Sequence, residues 1–355
     1  MSPNLISEIF NHSRSIPPPV CVEMSGNHQN SLISAREFVH SAALHGAQLL
    51  KFQVYTPDTI TFNSPSPLFR VDSKSQWSEY TSLYDLYSAA YTPWEWISDL
   101  FSLSRSLDIV PFASPFDTTA VDFLESLDCP IYKIASPEIT DLGLIEACCN
   151  TGKPIILSTG LASLVDLELA VDFIKQYGNK FMILKCVSAY PTPITDINLA
   201  TIPWLREKFS CPVGLSDHTL GTSVPLASVA LGSSLIEKHF KLPSDTLSVD
   251  ASFSLSLDTL PSLTTSITEV HTAIGTPTLI VPESAEASMS GRRSLFAVKD
   301  INIGEPFSIS NIRSIRPSYG LHPKHLKLLL GHLSPISLQA GEPLPETLLQ
   351  LLAIH

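Results

Sequence analysis

The chain has 355 residues, 44% hydrophobic and only 16% charged, enough for one large domain with a sizeable core plus a smaller one. A formal net charge of −12 argues against nucleic acid as a partner, since neutralising phosphates takes clustered Lys and Arg, whereas a small anion needs only a local cluster. No run reaches the ~18 apolar residues of a membrane span, and the polar start that ends in Pro17-Pro18-Pro19 lacks the pattern of a secretory signal, so a soluble, cytoplasmic protein is expected.

Beyond the prolines, short β-rich runs alternate with segments of helical period. A strand is predicted over 19–25, with Glu23 between Val22 and Met24, then a helix over 31–46. The second strand, 48–55, carries Lys51 and Gln53 on one face, because side chains alternate along a strand. Residues 58–90, rich in Ser, Pro and Tyr, are too long for an ordinary strand-to-helix loop and read either as a lid facing a substrate or as surface decoration.

The alternation then resumes. A helix over 92–106 leads to a strand over 108–114, and Asp117 caps a helix over 118–126. The strand 130–135 holds Lys133 and runs into Ser136 and Glu138, ahead of a helix over 142–151. Strand 154–159 contains Ser158, and Ser163 caps the helix 164–177. Strand 181–187 leads to Ser188 and Tyr190, and a helix over 199–209 follows. Strand 212–216 ends with Ser216 and leads to His218, with a helix over 223–231. Strand 234–240 places Glu237 and His239 on one face and Lys238 on the other, and a last helix spans 257–274.

Eight strands each followed by a helix make the pattern of a closed (β/α)8 barrel, an α/β fold, over residues 1–275. Residues 276–290 have the composition of a linker, and 291–355, with Gly turns and repeated Pro, read as a small, mostly β module. That size alone gives a marginal core, so the module is expected to lean on the barrel or on a second subunit. The six cysteines form no CxxC pair and sit mostly in apolar runs, which suits buried free thiols in a reducing compartment.

Active sites of such barrels lie at the C-terminal ends of the strands. There, His218 and His239 would share one rim, and two imidazoles near carboxylates suit a borderline divalent metal; each could instead cap its strand and bond to backbone. Only thirteen lysines occur, yet Lys51 and Lys133 lie inside apolar strands. A buried ammonium needs an anionic partner. That partner is either an internal carboxylate, such as Glu23 for Lys51, or a phosphate or carboxylate ligand held with the nearby hydroxyls. The residues by themselves point to a metal-assisted reaction of a small phosphorylated anion.

These segments carry a resemblance. Val22-Glu23-Met24-Ser25-Gly26-Asn27-His28, Lys51-Phe52-Gln53, Pro115-Phe116-Asp117, Tyr132-Lys133-Ile134-Ala135-Ser136 and Leu157-Ser158-Thr159-Gly160 resemble the sialic acid synthase family. So do Tyr190-Pro191, Gly214-Leu215-Ser216-Asp217-His218-Thr219 and Ile236-Glu237-Lys238-His239-Phe240. Arg292-Arg293-Ser294-Leu295 and Ser314-Ile315-Arg316-Pro317 are similar to that family's antifreeze-like (SAF) domain, and the likeness runs from about residue 20 to 345. Tyr55-Thr56-Pro57-Asp58, Leu83-Tyr84-Asp85-Leu86-Tyr87 and Pro317-Ser318-Tyr319-Gly320-Leu321-His322 resemble its pseudaminic acid synthase branch.

The resemblance implies a metal-dependent condensation of phosphoenolpyruvate with an open-chain acetamido sugar, giving a nine-carbon 2-keto sugar acid and phosphate. The branch points to 2,4-diacetamido-2,4,6-trideoxy-L-altrose as the sugar. By the same resemblance, His218 and His239 would hold Mn2+ or Mg2+, and Lys51, Lys133, Ser136, Ser158 and Ser216 would hold phosphoenolpyruvate. Gln53, Ser188 and Tyr190 would line the pocket, Glu23 and Asp250 would contact sugar hydroxyls, and Glu138 would be a base. Arg316 would reach the acetamido group from the other subunit of a domain-swapped homodimer. Three positions depart from the pattern: Asn30 where a glycine is usual, Ala251-Ser252-Phe253-Ser254 where a lysine is usual, and Ser188 where some relatives have Asn. N-acetylneuraminate or legionaminate synthesis, a lysine Schiff-base aldolase on the same fold, and an inactive scaffold are the other readings.

Overall fold

A computed structural model describes residues 3–11 and 15–354, so the outer domain limits drawn at 1 and 355 lie outside the described residues. Eight parallel strands close on themselves, each bonded to the next and the eighth back to the first. They are β1 (Val20–Glu23), β2 (Leu49–Val54), β3 (Val110–Pro115), β4 (Tyr132–Ile134), β5 (Ile155–Ser158), β6 (Phe181–Cys186), β7 (Val213–Asp217) and β8 (Ile236–Lys241). A two-residue strand, β9 (Leu255–Ser256), pairs with the end of β8. The intervening helices are α1 (Leu32–Leu44), α2 (Trp94–Ser106), α3 (Thr118–Ser126), α4 (Leu142–Asn150), α5 (Leu164–Tyr177), α6 (Thr201–Phe209), α7 (Ser223–Ala230) and α8 (Leu260–Ile274).

The strands are buried along nearly their whole length because helices cover their outer faces while side chains fill the barrel. Phe52 of β2 packs on Phe101 of α2 with ring centres 5.5 Å apart. Helix starts follow the predicted caps: Asp117 accepts from the amides of Thr119 and Ala120, and Ser163 forms a capping box with Asp166. β4 is shorter than the predicted 130–135, since Pro130 has no N–H to give to the ladder. Likewise α2 begins at Trp94 rather than residue 92, because Pro93 holds an extended cap.

The long insertion after β2 is not surface decoration. It contains the helix Leu83–Ala90, and it is tied across the sequence to the segment after β8. The Trp77 indole N–H donates to the Val249 carbonyl at 3.0 Å, and the Ser252 hydroxyl donates to Gln76 at 3.1 Å.

A second compact unit begins at Thr276. Within the expected linker, Glu283–Glu286 form a short helix and Ala287–Gly291 a 3-10 turn. Beyond it, β10 (Ser294–Ala297) pairs antiparallel with β11 (Ile312–Ile315). Among the described residues, further pairing is limited to isolated bridges such as Ile301 with Leu338, alongside the helices Leu326–Leu329 and Thr347–Leu351. The unit is therefore less regular than the predicted β module, because Pro306, Pro335, Pro343 and Pro345 deprive would-be ladders of donors. Its own core gathers Leu295, Ile301, Phe307, Leu329, Leu344 and Leu348. No helix among the described residues is long and apolar enough to cross a membrane.

Gly214 shows how tightly β7 meets its neighbours: a Cβ there would lie 2.5 Å from the Leu235 carbonyl oxygen and 2.6 Å from a Leu184 methyl. Backbone cannot step aside, so Gly214→Ala should cost about 1–3 kcal/mol of stability in a urea titration. Gly291→Ala, which meets nothing within 4 Å, should leave the curve unmoved.

Candidate active site

Four charged side chains interlock inside the barrel. Strand register sets Glu23 of β1 level with Lys51 of β2 on one side and His239 of β8 on the other. Lys51 Nζ lies 2.9 Å from Glu23 and 3.6 Å from Glu237, while Lys133 Nζ lies 3.4 Å from Glu237. None of the four is more than 5% exposed. Gln53 donates to Glu23 at 3.1 Å, and Ser216 donates to Glu237 at 2.9 Å. The lysines are thus partnered from within: the Lys51–Glu23 pair is formed, and Glu237 bridges both ammonium groups. Glu237 was not among the predicted site residues, although its two-residue spacing from His239 already placed it on the inward face. Burial opposes charge on both acids, but Lys133 and Lys51 hold Glu237 down to about 2, whereas burial outweighs Lys51 at Glu23 and pushes its carboxyl up.

His218 and His239 stand with ring centres 5.2 Å apart. His218 Nδ1 donates to the Val187 carbonyl at 3.0 Å, which leaves Nε2 as the nitrogen that could face an ion, while against burial Cys186 and the Val187 carbonyl raise this imidazole above its ordinary value. Burial, then the nearby cationic groups, holds His239 well below the ordinary imidazole value, and its buried Nδ1 has no hydrogen-bond partner among the described residues. Two imidazoles with uncommitted nitrogens are a donor set that fits a divalent ion. The described residues offer no third His, Cys, Asp or Glu to complete a closed cage, so an ion there would keep positions for water or substrate oxygen.

Aromatic rings surround the pair. Tyr190 lies 4.4 Å from His218, Phe253 5.0 Å from His239, and Trp77 5.3 Å beyond Tyr190. Phe253 belongs to the segment where the family resemblance leads one to expect a lysine, so an apolar ring occupies that part of the site. Asn30, another of the three departures, takes φ +53°, a left-handed conformation that Asn tolerates better than most residues, and so keeps the turn a glycine would make.

A group of small polar side chains converges on Gly160. A Cβ at that position would lie 2.2 Å from Ser188 Oγ, 2.7 Å from Ser136 Oγ and 3.0 Å from Cys186 Sγ, so only glycine leaves the space. The Gly160 amide donates to Ser136 at 2.9 Å, and the buried Ser158 hydroxyl has no partner among the described residues. Cys186, read from the sequence as one more buried thiol, joins this group to the imidazoles, its sulfur 3.9 Å from His218 Nδ1. Against the effect of burial, His218 brings the thiol down to about 7.

Behind the histidines, Asp217 and Lys238 form a fully buried ion pair at 2.5 Å. Lys238 also donates to the Thr219 carbonyl at 2.6 Å, and Asp217 accepts from the Thr219 amide at 3.0 Å. The pair joins β7 to β8 at the residues next to each histidine, and so sets the spacing of the two imidazoles.

A cavity of about 280 Å³ opens at this end of the barrel, lined in part by Gln53, Ser188, Tyr190, His239 and Asp250. Asp250 accepts from the Ser25 hydroxyl at 2.6 Å and the Gly26 amide at 3.2 Å, and lies 4.0 Å from His239. Glu23, expected to touch sugar hydroxyls, does not line this cavity, because Lys51 and Gln53 hold its carboxylate in the barrel interior. Glu138 does not line this cavity either. Burial lifts its carboxyl to about 7, and its Oε2 has no partner among the described residues. Arg316 is exposed in the second unit, just after β11.

Sequence comparison decides the lineage: the profile of the NeuB family matches residues 38–278, and that of the SAF domain residues 292–350. The chain belongs to the NeuB family. It is 42% identical to the pseudaminic acid synthase of Helicobacter pylori over 92% of this chain and 96% of that one. The N,N'-diacetyllegionaminic acid synthase of Legionella pneumophila is 31% identical, with 92% of each chain covered. Among solved structures, the N-acetylneuraminic acid synthetase of Leptospira borgpetersenii superposes with a TM-score of 0.68 at 30% identity, covering 78% of this chain and 92% of that one.

Two outcomes test the electrostatics of this NeuB-family site. Lys238→Met strands a buried carboxylate and should cost about 3–5 kcal/mol in chemical denaturation, while Asp217→Leu with Lys238→Met should recover most of it. The raised Glu138 carboxyl keeps its proton in the fold at pH values where the unfolded chain has released it. Stability on its account is therefore lost as pH rises from about 4.5 to about 7, by up to about 3 kcal/mol. Glu138→Gln should flatten that slope, matching the parent at pH 4 and exceeding it at pH 8 in urea titrations.

Proposed function

We propose that the protein condenses phosphoenolpyruvate and water with an open-chain acetamido sugar, 2,4-diacetamido-2,4,6-trideoxy-L-altrose, to give pseudaminic acid and inorganic phosphate. The observation that carries this reading is the meeting of two buried lysines, a ring of small hydroxyls and an imidazole pair at one end of the barrel. The higher identity to a pseudaminic acid synthase than to a legionaminic acid synthase supports the choice of sugar.

Lys51 and Lys133 hold the anionic phosphate and carboxylate, with Ser136, Ser158 and Ser216 donating to their oxygens. The two lysines and two carboxylates of the resting cluster balance in charge, so an arriving anion makes the site negative overall. Glu23, already pushed toward its neutral form by burial, is the group placed to accept a proton and restore the balance. Gln53, Ser188 and Tyr190 confine the reactants, and Asp250 orients a sugar hydroxyl. His218 and His239 would hold Mn2+ or Mg2+, which when bound polarises the sugar aldehyde toward attack by C3 of the enol. As that bond forms, positive charge develops at C2, and the buried Glu237 carboxylate, which stays ionised, stabilises it. Water adds at C2 with Glu138 receiving its proton, since a carboxyl near 7 suits that exchange at neutral pH. Phosphate leaves by C–O cleavage. Lys51 and Lys133 remain ammonium groups throughout, so no Schiff base forms. A cytoplasmic setting and a domain-swapped homodimer, in which the partner's copy of Arg316 reaches the acetamido group, complete the proposal.

Purified protein incubated with phosphoenolpyruvate, Mn2+ and a panel of acetamido sugars should release phosphate and a nine-carbon keto acid, followed by NMR. His218→Ala and His239→Ala should each abolish release, as should a chelator; full turnover by either variant in metal-free buffer refutes the metal role. Lys133→Ala should chiefly weaken the apparent affinity for phosphoenolpyruvate, by about 10-fold or more.

A further inference from the structure

The cavity is lined by polar groups, Ser25, Gln53, Ser188, His239 and Asp250, and by aromatic rings, of which Trp77, Tyr190 and Phe253 form one cluster with ring centres 5.1–6.5 Å apart. In this cluster Trp77 has already spent its only donor on the Val249 carbonyl, and Phe253 has none. Tyr190 stands between Trp77 and the imidazoles, 5.3 Å from the one and 4.4 Å from His218. Tyr190 and Phe253 make ring contacts with both imidazoles, whereas among the described residues Trp77 makes none, which leaves its ring for the part of a sugar that extends away from a reacting aldehyde. It comes from the insertion after β2, which the reaction as derived above leaves without a role, and two hydrogen bonds pin that insertion over the site.

We propose that Trp77 is a specificity-determining residue, completing with Tyr190 and Phe253 an apolar wall that takes a deoxy carbon at the remote end of the acceptor sugar. The inference rests on the condensation proposed above and adds the chemistry by which the acceptor is chosen. A hydroxyl pressed against the ring of Trp77 or Phe253 gives up its water and gains no partner there, whereas a methyl group gains ring contact. An apolar pocket rejects such an added hydroxyl by a factor on the order of 100 at most, so the discrimination is real but moderate.

The test compares two acceptors that differ at one atom, open-chain 2,4-diacetamido-2,4,6-trideoxy-L-altrose and its 6-hydroxy counterpart, each with phosphoenolpyruvate and Mn2+. The parent enzyme should favour the deoxy sugar by about 10–100-fold in kcat/KM. Trp77→Ala should bring the two within about threefold while the KM for phosphoenolpyruvate stays unchanged. Trp77→Phe, which keeps a ring but lacks the N–H to Val249, should retain the preference and so separate the wall from the tether. Circular dichroism and the melting temperature confirm that both variants fold. Phosphate release with equal use of both sugars by the parent, or a preference untouched by Trp77→Ala, overturns the wall and leaves the condensation standing. No release with either sugar overturns the condensation, and the inference with it.

Discussion

The interior of this barrel is organised by four charges that cannot be solvated and must therefore satisfy one another. Glu23, Lys51, Glu237 and Lys133 come from strands β1, β2, β8 and β4, and their side chains meet within 2.9–3.6 Å. Desolvating any one of them alone would cost several kcal/mol, so the cluster stands or falls as a unit. That constraint decides which strand positions are polar, how deep they lie and why their hydroxyl neighbours point inward. It also makes the barrel a ready site for an anion, since each ammonium can change partners without being left bare.

The same physics governs the histidines. Aromatic rings on one side and the buried Asp217–Lys238 pair behind them leave little freedom for the strand ends that carry His218 and His239. Burial and neighbouring positive groups keep His239 neutral, the form in which an imidazole has a lone pair to offer. The arrangement therefore combines two ammonium groups held among carboxylates, an imidazole pair and an aromatic wall. A condensation that must hold an anion, activate a carbonyl and limit free water uses all three.

Much of this was legible in the chain. Alternating apolar runs placed eight strands and eight helices, and period-two spacing put Lys51 with Gln53, and Glu237 with His239, on shared faces. Lysines inside apolar strands announced buried charge before any partner was known. Less was legible where partners lie far apart in sequence. Trp77 meets Val249 and Tyr190 across more than a hundred residues, and nothing near residue 77 marks it as part of a site. Cys186 gave no signal beyond a thiol in an apolar strand, yet it sits between the serine group and His218. Glu237 carried a usable signal, its spacing from His239, that the more conspicuous histidines masked.

Composition, hydrophobic period and local caps are properties of neighbouring residues, so they determined the strand–helix alternation, the break near residue 275 and the set of polar groups at the strand ends. Which of those groups neutralise one another depends on barrel closure. Closure brings β8 back to β1, sets Glu23 level with His239, and lets Glu237 reach the lysines of β2 and β4. The chain alone named the charges; the closed sheet, by putting distant strands side by side in a buried interior, decided their partners.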